Sequence, residues 1–176
     1  MNEAAQLQTN EVNLNVEINA EEDQYLTFIM ANEEYGVDIL RVQEIRGWDS
    51  VTPLPNTPKY IKGVINLRGT IVPIVDLRER FGLDSVEYGP TTVVIVLKVV
   101  SQKSERIMGI VVDAVSDVYN IESSDMKPAP DFGNVVSIEF VHGLVSIGEK
   151  MLIILDIDEM LNSGDLKVAA READSE

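Results

Sequence analysis

Asp156 and Asp158 are the residues of this 176-residue chain whose type and spacing come nearest to chemistry. Two carboxylates that close together can serve as acid and base or hold a divalent cation. Asp156 has a counterpart in Asp76, however, and each opens an Asp-x-x-Glu run: Asp76-Leu77-Arg78-Glu79 and Asp156-Ile157-Asp158-Glu159. An Asp at a helix start accepts from free backbone N–H groups, and a Glu three residues on can reach back to the cap, so capping accounts for the recurrence. His142 is the single histidine, which excludes a His-pair metal site and a Ser-His-Asp relay. The stretch GLVSIGEK at 143–150 has the glycines of a phosphate loop, but no Ser or Thr follows Lys150 and an apolar strand comes next. Without cysteine there is no thiolate nucleophile, Cys-ligated metal or disulfide framework. The residues predict no catalysis, no cofactor and no metal.

The elements that carry these residues are a repeated unit. Tyr60 to Gly82, YIKGVINLRGTIVPIVDLRERFG, aligns without a gap on Phe140 onward, FVHGLVSIGEKMLIILDIDEMLN. Each copy reads as an apolar strand, a tight turn (Arg68-Gly69 or Gly148-Glu149), a returning apolar strand and a short capped helix, with Gly82 and Gly164 suited to the helix ends. Further upstream, Gly36-Val37 and Val42 to Ile45 match Gly109-Ile110 and Val115 to Val118, and Pro53-Leu54-Pro55 answers to Pro128-Ala129-Pro130. Landmarks kept in order indicate two diverged copies of one β-rich half.

Composition sets the class. A hydrophobic share of 45% is that of a globular chain, and a net charge of −16 repels nucleic acid and anionic lipid. No apolar run approaches the roughly 20 residues that span a bilayer, and no basic-then-apolar leader opens the chain, so a cytoplasmic protein without membrane insertion is expected.

Residues 1–23, polar and acidic, read as a flexible tail, as do 163–176. Between them, 24–90 and 91–162 are expected to form a first and a second barrel, with exchange of strands between them left open. Tyr25 to Met30 and Tyr35 to Ile39 make a first hairpin, Leu40 to Glu44 one helical turn, and Gly47 to Pro58 a proline-rich loop. Thr91 to Val100 is almost continuous in Val and Ile, which predicts burial on both faces and a place in the seam between halves. About five short strands per half close most naturally into small barrels that pool one core.

Positions at which the copies differ are the candidates for function. Arg68 stands at a hairpin tip where the other copy has Gly148, so the turn does not require it; an exposed guanidinium suits partner binding or simple solvation. Trp48 is likewise unmatched and either anchors a partner or plugs a barrel end. Lys127 and Phe132 bracket the second proline loop as a docking surface, with Phe132 as core the other reading. Val37, Ile39, Val42 and Ile45 supply more apolar surface than one hairpin and one turn need, which suits packing between barrels or a groove for a partner helix.

The segments EEYGVDILRVQEIRG, TPKYIKGVINLRGTIVPIVDLR, GIVVDAVSDV and KPAPDF, in this order and spacing, closely resemble the bacterial chemotaxis coupling proteins of the CheW family. The likeness covers Tyr25 to Asn162. It implies a mainly β fold of two five-stranded SH3-like barrels around a shared hydrophobic core, and a non-catalytic adaptor that couples the cytoplasmic tips of methyl-accepting chemoreceptors to the histidine kinase CheA, through its regulatory domain, in arrays where further CheW copies join the rings. Carried over by position, it assigns Ile39, Val42, Glu44 and Arg68 to receptor binding and Lys127 and Phe132 to kinase binding. The alternative it leaves open is an adaptor of the same type in another sensory kinase pathway, such as pilus or gliding motility.

Overall fold

A computed structural model describes residues 22–130 and 138–162. The expected tails, but for Glu22 and Asp23, and Phe132 lie outside the described residues. The first strand, β1, runs Glu22–Met30 and so starts inside the stretch expected as tail. Then follow β2 (Glu33–Asp38), a 3-10 turn at Ile39–Arg41, β3 (Val42–Gly47), β4 (Ile61–Leu67), β5 (Thr70–Asp76) and helix α1 (Leu77–Arg80). The second half repeats the order with β6 (Val93–Val100), β7 (Glu105–Val112), β8 (Ala114–Glu122), β9 (Val141–Ile147), β10 (Lys150–Leu155) and α2 (Ile157–Leu161). The helical turn expected over Leu40 to Glu44 is thus shorter and earlier, because the β-branched Val42 and Ile45 pair as strand.

The ten strands form two five-stranded sheets, ordered β8-β1-β2-β10-β9 and β3-β6-β7-β5-β4. The exchange of strands left open between 24–90 and 91–162 therefore takes place. Each half gives its first hairpin to one sheet and its last three strands to the other, so the exchange is complete and symmetrical. The joins are the parallel pairings β2 with β10 and β5 with β7. Both sheets curl until backbone bonds close them: Thr52 exchanges N–H···O bonds of 2.9 and 2.8 Å with Val64, and Lys127 does so with Leu144 at 2.9 and 2.8 Å. The two bridges are equivalent, and each lies beside one of the matched glycines Gly63 and Gly143. A Cβ on Gly63 would lie 2.2 Å from the Thr52 carbonyl oxygen, and one on Gly143 would lie 2.3 Å from Met126 Cγ. Glycine is therefore the residue that lets each barrel shut.

Side-chain alternation divides the interior into three. On β6, Val94 and Val96 face the small core of their own barrel while Ile95, Leu97 and Val99 face the core between barrels, so both faces of this strand are buried as its continuous apolar run demands. Tyr25, Ile121, Val145, Leu152 and Ile154 form the corresponding small core of the other barrel. The central core gathers Phe28, Tyr35, Leu77, Phe81, Met108 and Met160, among others, from both sheets and both helices. Asp76 and Asp156 cap the helices as expected, accepting from Glu79 N and Glu159 N at 3.1 Å each.

Two further contacts fasten the halves together. The Arg80 guanidinium lies between the rings of Tyr60 and Phe140, 5.1 and 4.9 Å from their centres, and these rings are themselves equivalent in the repeat. At each crossing from one sheet to the other, a carboxylate holds a backbone N–H at the end of a hairpin strand and pairs with an arginine. Asp113, in the β7–β8 link, accepts from Ala31 N (2.9 Å) and Arg78 Nε of α1 (3.2 Å). Asp158 of α2 accepts from Val100 N (2.8 Å) and takes both terminal nitrogens of Arg41, in the β2–β3 link (2.8 and 2.7 Å). The carboxylate and the arginine have changed places between helix and link.

The barrel-closing role of Gly63 gives a sharp contrast with Gly69, whose φ is also positive but which has open space around it. Gly63→Ala is expected to cost about 3 kcal/mol or more through overpacking against backbone, and Gly69→Ala only about 1 kcal/mol of left-handed strain. Urea unfolding of the two variants measures both.

Candidate functional site

Arg68 occupies the tip of the β4–β5 hairpin with φ 53°, followed by Gly69 at φ 92°. A two-residue turn with both central residues at positive φ fits the twist of the flanking strands, but a non-glycine residue there costs roughly 1–2 kcal/mol. The equivalent tip in the second copy has Gly148 at φ 60°, free of that cost. Asn66 Oδ1 accepts from Gly69 N at 2.8 Å and fixes the turn. From this tip the Arg68 side chain, 75% exposed, donates through Nη2 to Glu44 Oε1 of β3 at 2.8 Å. Arg46 approaches the other oxygen of Glu44 at 3.8 Å. Glu44 and Arg68, brought together from sequence positions far apart, are thus one exposed ion pair across the face of a barrel.

Ile39 and Val42, read from the sequence as members of the same surface, expose only 4% and 6%. They sit in the central core beneath it, with Val37, while Ile45 packs partly buried against them. The apolar surplus of this segment is therefore packing between barrels, and what Ile39 and Val42 offer a partner is the shape of the wall above them. The side chain that does emerge is Leu40, 67% exposed, which sequence reading passed over. It rides the 3-10 turn, where three residues complete a turn and an alternating pattern no longer says which face a residue takes. Lys127 is exposed on the rim of the other barrel, held by its backbone bridge to Leu144.

Trp48 takes the plug role. It packs on the small core of its barrel and meets Tyr88 edge to face at 4.4 Å. The Tyr88 hydroxyl donates to Asp76 Oδ2, and burial, then that bond, hold its phenol proton well above the ordinary range. Tyr25 is pushed up to about 12 by burial first, then by Asp23 and Asp38. The carboxylates considered for chemistry have structural tasks: Asp156 caps α2 and Asp158 holds Arg41 and Val100. His142 is exposed. Among the described residues no group of three or more His, Asp or Glu could hold a metal ion, and no helix is long and apolar enough to cross a membrane.

Fused barrels whose acidic residues cap, clamp and pair, and whose unmatched cation stands strained and exposed at a hairpin tip, define a protein-interaction module of the adaptor class. A family model described as the CheW-like domain matches residues 24–165. A chemotaxis protein CheW from Klebsiella aerogenes is 49% identical over 152 residues, covering 86% of this chain and 89% of that one. The chemotaxis protein CheW of Rhizobium meliloti is 36% identical over 144 residues, 82% and 90% of the two chains, and protein FrzA of Myxococcus xanthus is 27% identical over 152, 85% and 92%. The solved scaffolding protein TtCheW from Thermoanaerobacter tengcongensis superposes with a TM-score of 0.74 at 30% identity, covering 85% of this chain and 94% of that one. The chain belongs to the CheW family of non-catalytic chemotaxis adaptors.

Two expectations follow. Replacing Arg68 by Gly trades an exposed ion pair worth at most about 1 kcal/mol for relief of roughly 1–2 kcal/mol of strain. The Arg68→Gly variant should be as stable as the wild type or slightly more so in thermal unfolding. Because the folded chain holds the Tyr25 proton more tightly than the usual phenol value of 10, its contribution is full below pH 10 and is lost as pH rises through about 12. Tyr25→Phe should remove part of that alkaline loss, read as unfolding midpoint against pH.

Proposed function

We propose that this chain couples the cytoplasmic tips of methyl-accepting chemoreceptors to the histidine kinase CheA, and that it works in the cytoplasm, recruited to membrane-associated receptor arrays. The observation that carries this reading is the Glu44–Arg68 pair, because an arginine kept at a left-handed turn position against a local strain cost is explained by what it contacts outside the chain. Receptor binding falls on the face formed by Glu44 and Arg68, with Ile39 and Val42 as the buried floor that fixes its contour. The pair contributes little to folding, so a partner carboxylate can compete for the guanidinium at small cost.

Kinase binding falls on the rim of the other barrel, at Lys127 and at Phe132 beyond the described residues. The rigid backbone of Lys127, tied to β9, presents its ammonium from a fixed point. A receptor face on one barrel and a kinase face on the other leave both contacts open at once. That is the arrangement a bridge requires, and other copies of the chain can join the same rings. Individually modest contacts then gain from effective concentration in an array.

The test is CheA autophosphorylation with receptor-containing membranes from the same organism, with and without this protein. Stimulation should require all three components and should fall at least tenfold with Arg68→Glu, while circular dichroism shows a folded variant. Lys127→Glu should lower kinase pull-down and leave receptor co-sedimentation intact. A folded wild-type chain giving no stimulation would sink the reading and move the adaptor to another sensory kinase pathway.

A further inference from the structure

Among the described residues, one barrel fills from within a seat that the other leaves open. In the barrel of β3 to β7, Tyr88 packs on the small core that holds the cross-strand pair Val94 and Val111 with Ile74, and its hydroxyl donates to Asp76. The register places Tyr25 and Asp38 as the equivalent pair in the other barrel, and the repeat places Ile154 and Asp156 opposite Ile74 and Asp76. Among the described residues no tyrosine takes that place, and a cavity of about 200 Å³ is lined there by Tyr25, Asp38, Arg41, His142, Asp156 and Asp158 with apolar wall from Ile154.

The lining has also changed character. Where the filled seat has two valines, the open one has a phenol and a second carboxylate. Asp38 and Asp156 each hold a backbone N–H with Oδ1, that of Leu40 at 3.0 Å and that of Glu159 at 3.1 Å, which leaves the second oxygen of each for a ligand. Tyr25 is 6% exposed, and its hydroxyl makes no hydrogen bond among the described residues. Arg41 is committed to Asp158 and to the Lys98 carbonyl at 3.1 Å. Three carboxylates against one guanidinium leave the lining acidic.

We infer that this cavity is a docking seat for an arginine side chain presented by a protein partner. A neutral hydroxyl, as in the filled seat, serves one carboxylate. Two carboxylates and an acceptor phenol oxygen call for a cation with several N–H groups in a planar fork, and the Tyr25 ring gives that plane an apolar wall. Burial, Asp23 and Asp38 keep the phenol protonated far above neutral pH, so its oxygen stays an acceptor without adding charge. A lysine would satisfy the charge, but its three N–H groups diverge from one nitrogen and offer no plane to lie on the Tyr25 ring. Only the partner's being a protein rests on the adaptor reading; the preference for a guanidinium does not.

The probe is N-acetylarginine amide, titrated into the full chain while the ring signals of His142, the single histidine, are followed by NMR. Saturable shifts are expected at millimolar probe, with at least tenfold weaker binding of the uncharged isostere N-acetylcitrulline amide. Asp38→Asn and Asp156→Asn, which keep the backbone-capping acceptor, should each weaken probe binding about tenfold and lower stimulation in the kinase assay severalfold. Equal response to both probes, or unchanged binding in both variants, overturns the seat. Probe binding by the wild type with full coupling by Asp156→Asn overturns the partner's use of it. Much tighter probe binding by a chain ending at Asn162 makes the chain's own following residues the occupant and overturns the partner as well. Should the wild type fail to couple at all, the adaptor reading falls while the titration still decides the seat.

Discussion

Neither half of this chain closes a barrel from its own strands, and the rest of the structure depends on that exchange. The hairpin β1–β2 is completed by β8, β9 and β10, and the hairpin β6–β7 by β3, β4 and β5. The central core exists because the links that cross between sheets bring the barrels against each other, burying the outer faces of β1, β2, β6 and β7 together with both helices. Two separate barrels of this size would each have to find a core among very few residues. Sharing one large core removes that difficulty and makes the two barrels one cooperative body, so that a partner bound to either meets a surface whose position relative to the other is fixed.

Much of this was legible in the sequence, though unevenly. Hairpins, turns and capped helices are local, and residue type announces them: Arg68-Gly69, Gly148-Glu149, Asp76 and Asp156 all stand where the pattern put them. The continuous run at β6 told correctly of burial on both faces. What alternation cannot tell is which sheet a strand joins, because β2 with β10 and β5 with β7 are parallel pairings between distant segments. The exchange of strands between the halves was left open for that reason.

The candidate site divides along the same line. Arg68 was found by comparing the copies, since Gly148 shows that the turn itself asks for no cation. Its contact with Glu44 needed the structure, as did the inward turn of Ile39 and Val42, because the 3-10 turn between β2 and β3 breaks the period on which facing is judged. Leu40 emerges there for the same reason. The open seat around Tyr25 and Asp38 could not be read from sequence, for its meaning lies in the contrast with Tyr88, which reaches the matching place from a linker with no counterpart motif.

The interchange of carboxylate and arginine between the two sheet crossings has a consequence for ancestry and assembly. A duplicated unit can in principle pair with a copy of itself, N-terminal half with N-terminal half of another molecule, through the same hairpin exchange. Such a pairing would set Arg78 of one molecule against the link that carries Arg41 in the other, and the corresponding pairing of C-terminal halves would set Asp158 against Asp113. Like charges would meet at both crossings, with a hairpin N–H left without its carboxylate in the first case. The inverted clamps thus favour the pairing of each half with its unlike sibling over its like one.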